Sequence, residues 1–140
     1  MRKALLLLPL LLAGCVDDSA TYYIDGNDHT LTVRATQDYF WQPELTLYLT
    51  ASRLPDCQRR FPLPPAPAGP LDYELYSNGD NVWTLKAGED AYSFETQGCT
   101  QLDSVSTAPA QLVGKFVLND GKLAFEEVKT PAAPVPAPAP

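Results

Sequence analysis

Leu45-Thr46-Leu47-Tyr48-Leu49-Thr50-Ala51 alternates apolar and polar side chains without a break. Successive residues of an extended chain point to opposite faces, so Leu45, Leu47, Leu49 and Ala51 share one side. Thr46, Tyr48 and Thr50 share the other, which makes a strand with one face on a core and one in water. The same period of two recurs outward from this stretch. Leu31, Val33 and Ala35 alternate with Thr30, Thr32 and Arg34, and Leu71, Tyr73 and Leu75 with Asp72, Glu74 and Tyr76. Tyr92 and Phe94 do so with Ser93 and Glu95, and Leu123 and Phe125 with Ala124 and Glu126. Asp25-Gly26-Asn27, Asn78-Gly79-Asp80, Ala87-Gly88-Glu89 and Asn119-Asp120-Gly121 punctuate these runs with turn chemistry. No twelve-residue stretch sustains a helical i, i+3, i+4, i+7 stripe. The pattern predicts an all-β fold of six to eight short antiparallel strands, closed as a small β-sandwich or barrel.

Composition narrows the function classes. The chain has 140 residues, 45% of them hydrophobic and 19% charged, which suffices for one domain and one core. Two Trp, seven Tyr and five Phe, with a mean hydropathy of −0.16, argue against a disordered chain. A formal charge of −7 argues against a nucleic-acid partner, because phosphate binding needs a basic face.

The N-terminus carries an address. Arg2 and Lys3 precede the apolar run Ala4 to Leu11. As a helix, residues 4–14 would span about 16 Å at roughly 1.5 Å per residue. A bilayer core is about 30 Å thick, so the run is too short to cross one and reads as a secretory signal. It ends Leu12-Ala13-Gly14-Cys15, which resembles the lipobox of bacterial lipoproteins cleaved by the type II signal peptidase. The resemblance implies a lipoprotein signal peptide over 1–14, cleavage before Cys15, diacylglycerol on the Cys15 thiol and a fatty acid such as palmitate on the new amine. Val16 rather than Asp follows the Cys, which by the family's sorting rule implies a periplasm-facing anchor in the outer membrane. Loss of Arg2 and Lys3 would leave eight basic against seventeen acidic side chains, a formal charge of −9. With Cys15 acylated in an oxidising compartment, Cys57 and Cys99 remain to form one disulfide. They lack the C-x-x-C spacing of a redox-active pair.

The mature chain then divides into a short tether over 15–20, a β-domain over 21–130 and a tail over 131–140. Phe61-Pro62-Leu63-Pro64-Pro65-Ala66-Pro67-Ala68-Gly69-Pro70 reads as a long, stiff surface loop. The tail, five prolines among ten residues without charge or aromatic ring, reads as disordered or extended polyproline II.

Candidate chemistry is sparse. His29 is the one histidine, at the exit of Asp25-Gly26-Asn27-Asp28, and reads as a solvated turn residue. No G-x-S-x-G setting accompanies it, so no catalytic residue is assigned. One His cannot anchor a zinc site, and the acidic turns lack the calcium-loop spacing, so neither metal nor cofactor is expected. Two features exceed what a β-domain requires. Tyr39-Phe40-Trp41 are consecutive, so a single core cannot take all three, and an exposed aromatic there suits contact with protein, glycan or a membrane interface. Arg53, Arg59 and Arg60 flank Cys57 in an otherwise acidic domain and could meet peptidoglycan carboxylates or lipid phosphates. The segment Arg53-Leu54-Pro55-Asp56-Cys57-Gln58-Arg59-Arg60 and the overall layout resemble small outer-membrane lipoproteins of proteobacteria. The reading is a lipid-anchored, non-enzymatic binding or accessory module of the cell envelope, its partner an envelope protein or peptidoglycan. The alternative is a lysozyme-inhibitor-like periplasmic protein, because an acidic domain is steered toward basic lysozyme.

Overall fold

The computed structural model describes residues 16–39 and 41–128. Ten strands form: β1 (Asp17–Asp25), β2 (His29–Thr36), β3 (Glu44–Arg53), β4 (Cys57–Pro67), β5 (Leu71–Gly79), β6 (Val82–Ala87), β7 (Asp90–Glu95), β8 (Thr100–Gln101), β9 (Gln111–Asn119) and β10 (Lys122–Glu127). They make two antiparallel sheets, one in the order β1-β2-β3-β4 and the other β10-β9-β5-β6-β7-β8. The count exceeds the predicted six to eight because β4 is interrupted by prolines and β8 is too short to show alternation.

The inward rows are the ones the alternation marks. Leu31, Val33 and Ala35 of β2 and Leu45, Leu47, Leu49 and Ala51 of β3 are fully buried. They form one core with Leu75, Leu85, Phe94 and Phe116 of the second sheet. Each buried Leu, Val or Phe among them stabilises the fold by about 1.5–3 kcal/mol relative to its exposed state. Two sheets packed through one apolar layer make a sandwich, which decides between the two predicted closures. On one flank Asp18 Oδ2 accepts from the Leu123 amide at 2.9 Å, linking β1 to β10. On the other flank the Cys57–Cys99 disulfide joins β4 to the loop leading into β8.

Two expectations are corrected. Most of the supposed loop 61–70 is strand β4, with Phe61 and Leu63 buried and Pro62 and Pro64 exposed. β4 is an edge strand paired only with β3, so a proline's missing N–H need not interrupt a second ladder. Where Pro64 and Pro65 follow each other the register shifts: Leu47 faces Leu63, whereas Leu45 faces Ala66. That bulge accommodates them, and only Ala68–Pro70 remain as a connection. Likewise, residues 17–20, assigned to a tether, are the first part of β1. Asp17 pairs with Thr36 and binds Arg34 at 2.8 Å, and Ala20 is buried.

The registers give the sandwich two distinct ends. One carries Val16 and the connections 37–43, 68–70, 88–89 and 120–121. The opposite end carries the turns 26–28, 54–56 and 80–81, the loop 96–99 and Val128, whose amide bonds to the Val113 carbonyl. All four predicted turns are present. In the β9–β10 turn both Asp120 and Gly121 are left-handed, at φ 52° and 75°, as a two-residue hairpin of matching twist requires.

The second sheet also buries polar side chains on its outer face. Thr84 and Ser93 share a 2.8 Å bond beneath the segment 102–110. Ser93 Oγ accepts from the Ser106 amide, and Asn78 bridges Thr84 to the Ala108 carbonyl. This segment covers the sheet and satisfies the hydroxyls buried beneath it.

Candidate functional site

At the Val16 end, the chain leaving β2 folds back on the N-terminal residue of the described domain. The Gln37 amide donates to the Val16 carbonyl at 2.6 Å. Gln37 Nε2 donates to the Gln42 carbonyl, Gln42 Oε1 accepts from the Asp38 amide, and the Gln42 amide donates to the Tyr39 carbonyl. These bonds hold the connection as a compact loop. Tyr39 and Trp41 are 56% and 67% exposed and stack with ring centroids 5.0 Å apart and planes 22° apart. Phe40 lies outside the described residues. A cleft of about 440 Å³ opens at the same end, walled by Pro64, Pro67, Pro70, Tyr73 and Tyr92.

The arginines are elsewhere and do not form a cluster. Arg59 and Arg60 are adjacent in β4 and therefore point to opposite faces. Arg59 sits over the Phe61 ring at 5.5 Å, and Arg60 over the Tyr48 ring at 4.4 Å on the outer face. Arg53 continues the inward row of β3 at the Val128 end, where its Nη1 is buried without a hydrogen bond. The aromatic and basic features thus occupy different parts of the molecule rather than one surface.

His29 corrects a third expectation, since it is buried rather than solvated. It opens the inward row of β2 opposite Arg53, and its Nε2 bonds Thr96 Oγ1 at 2.8 Å. Trp83 Nε1 donates to the same hydroxyl at 3.4 Å. Burial lowers the His29 pKa, and the Arg53 charge lowers it further against the opposing pull of Asp25. A neutral, enclosed imidazole so bonded closes the end of the core.

Beside it, Glu95 organises the loop that presents Cys99. Its Oε2 accepts from the amides of Gln97 and Gly98 at 2.8 and 2.9 Å, and its Oε1 from the amide and hydroxyl of Thr100. Burial pushes the Glu95 carboxyl up, but these four bonds outweigh it and leave the pKa below the usual value. Cys99 itself is fully buried in a left-handed conformation, φ 55°, and is bonded to Cys57 as expected. Sequence reasoning missed this carboxylate; Glu95 followed by Gly98 and Thr100 is the one signal that could have marked it. On the outer face, burial and a 2.6 Å bond to Glu74 push the Tyr76 pKa up to about 12.

Among the described residues, no group of three His, Cys, Asp or Glu side chains is placed to hold a metal ion. No helix among them is long and apolar enough to cross a membrane. Cys15, residues 1–14, expected to be a signal peptide, and residues 131–140, expected to be a tail, lie outside the described residues. The chain matches no protein-family model, no curated protein and no solved structure.

Proposed function

We propose that this protein is a lipid-anchored component of the bacterial cell envelope. Cys15 carries the lipid, the anchor lies in the outer membrane facing the periplasm, and the β-sandwich is a non-enzymatic binding or accessory module. The observation that carries the reading is Leu12-Ala13-Gly14-Cys15 at the end of a short apolar run headed by Arg2 and Lys3. The fold supports it in one respect. β1 begins at Asp17, two residues after Cys15, so cleavage before Cys15 leaves all ten described strands intact. Two or more acyl chains at that point would hold the domain stably on a bilayer.

The test is metabolic labelling with a fatty acid in a bacterial host that processes lipoproteins. The wild-type chain takes up label and fractionates with membranes, whereas Cys15→Ala takes up none and accumulates as precursor. Equal labelling of the two chains would contradict the reading.

A further inference from the structure

The Tyr39–Trp41 loop lies where an acylated Cys15 would meet the bilayer. Gln37 is bonded to Val16, and Val16 is one residue from Cys15. Consecutive Cα atoms are about 3.8 Å apart and paired strands about 5 Å apart, so Tyr39 lies within about 16 Å of Cys15 along this route. No spacer intervenes. A lipid on Cys15 would set this loop at headgroup level rather than free in the periplasm. Trp and Tyr are the side chains that favour that layer, because each offers an apolar ring and a polar N–H or O–H. Both rings are more than half exposed, on a loop held by its own hydrogen bonds.

Charge at this end selects the lipid. Asp38, Glu89, Asp90 and Asp120 are exposed around it, against the exposed Lys122 beside the 120–121 turn, so this end is net negative. Four carboxylates near an anionic surface are repelled, whereas a zwitterionic headgroup layer imposes no such cost. We propose that Tyr39 and Trp41 form a second membrane contact beside the Cys15 lipid. They seat in the interface of a zwitterionic bilayer and hold the sandwich upright, with its Val128 end directed away from the membrane. The inference rests on the lipoprotein reading for the position of the lipid.

Trp fluorescence tests it. The full mature chain, residues 15–140, is coupled through the Cys15 thiol to a maleimide lipid in phosphatidylcholine vesicles. The disulfide leaves that thiol as the one available for coupling. Trp83 is buried in the core, so the difference between wild type and Trp41→Phe reports Trp41 alone. Trp41 emission shifts to shorter wavelength and falls roughly twofold with bromine-labelled phosphatidylcholine, as for an interfacial ring. Residual Trp83 emission is unchanged, and phosphatidylglycerol in the vesicles weakens the Trp41 effect. Solvent-like, unquenched Trp41 emission on a tethered, folded chain would overturn the proposal. So would protection of Trp41 by soluble peptidoglycan fragments and not by vesicles. Native acylation of Cys15 is read separately by mass, so failure of the lipoprotein reading and failure of this contact are distinguishable.

Discussion

Replacing both Cys57 and Cys99 by Ala should cost the domain about 4 kcal/mol. The bond closes a sequence separation of 42, and the chain-entropy model gives about that figure for a loop of such length. Its position makes the loss hard to recover, because it bridges the two sheets on the flank opposite β1 and β10. Substituting the pair avoids leaving one thiol unpaired, and Ala avoids a hydroxyl at the fully buried Cys99 site. Globular domains unfold with an entropy of about 2.1 cal/mol/K per residue near 60 °C, so over the roughly 110 residues described the midpoint should fall by about 17 °C. The assay is thermal and urea unfolding followed by circular dichroism. The urea m-value should also rise, because an unlinked unfolded chain exposes more surface. A loss below about 1 kcal/mol with an unchanged m-value would refute the argument, since it would mean that the bond does not restrict the unfolded chain.

Gly114→Ala should destabilise the domain by about 1–3 kcal/mol, because the added methyl would clash with the Glu126 carbonyl and the Phe125 ring. Unchanged urea unfolding of that variant would contradict the packing described. Glu95→Gln should cost about 1 kcal/mol, the bonds it weakens being partly exposed. Glu95 has a folded pKa below its unfolded value, so its contribution is present above the unfolded pKa and is lost as pH falls through the folded one. The wild-type and Glu95→Gln stabilities should therefore converge on acidification, and a difference independent of pH would exclude the charge as its source. His29, the one histidine, should titrate below 6.5 by NMR. The unfolded chain takes up that proton first, so His29 stabilises the fold above the unfolded pKa and less as pH falls below it. A midpoint above 6.5 would place the ring in solvent or beside an acid.

The sheet core was legible in the sequence because β2, β3 and β5 each bury one face, and a period of two records that directly. The turns were legible because Asp120 and Gly121 adopt conformations that few residues accept. β4 was hidden, since a proline run reads as a loop until the strand is known to be an edge with a bulge. His29 was misread for a related reason. A lone histidine beside a turn carries no sign of Thr96, its partner 67 residues away. The exposed aromatics were foreseeable from their consecutive spacing, but their closeness to Val16 depends on the β1–β2 register. The arginines gave the opposite lesson: neighbours in sequence, Arg59 and Arg60 are separated by the pleat of one strand.

The mass of the protein extracted from membranes tests the central claim most directly. The extracted chain should begin at Cys15, carry a diacylglycerol and an amide-linked fatty acid on that residue, and have Cys57 and Cys99 oxidised. An unacylated chain in the soluble fraction, cleaved at any other residue, would contradict it.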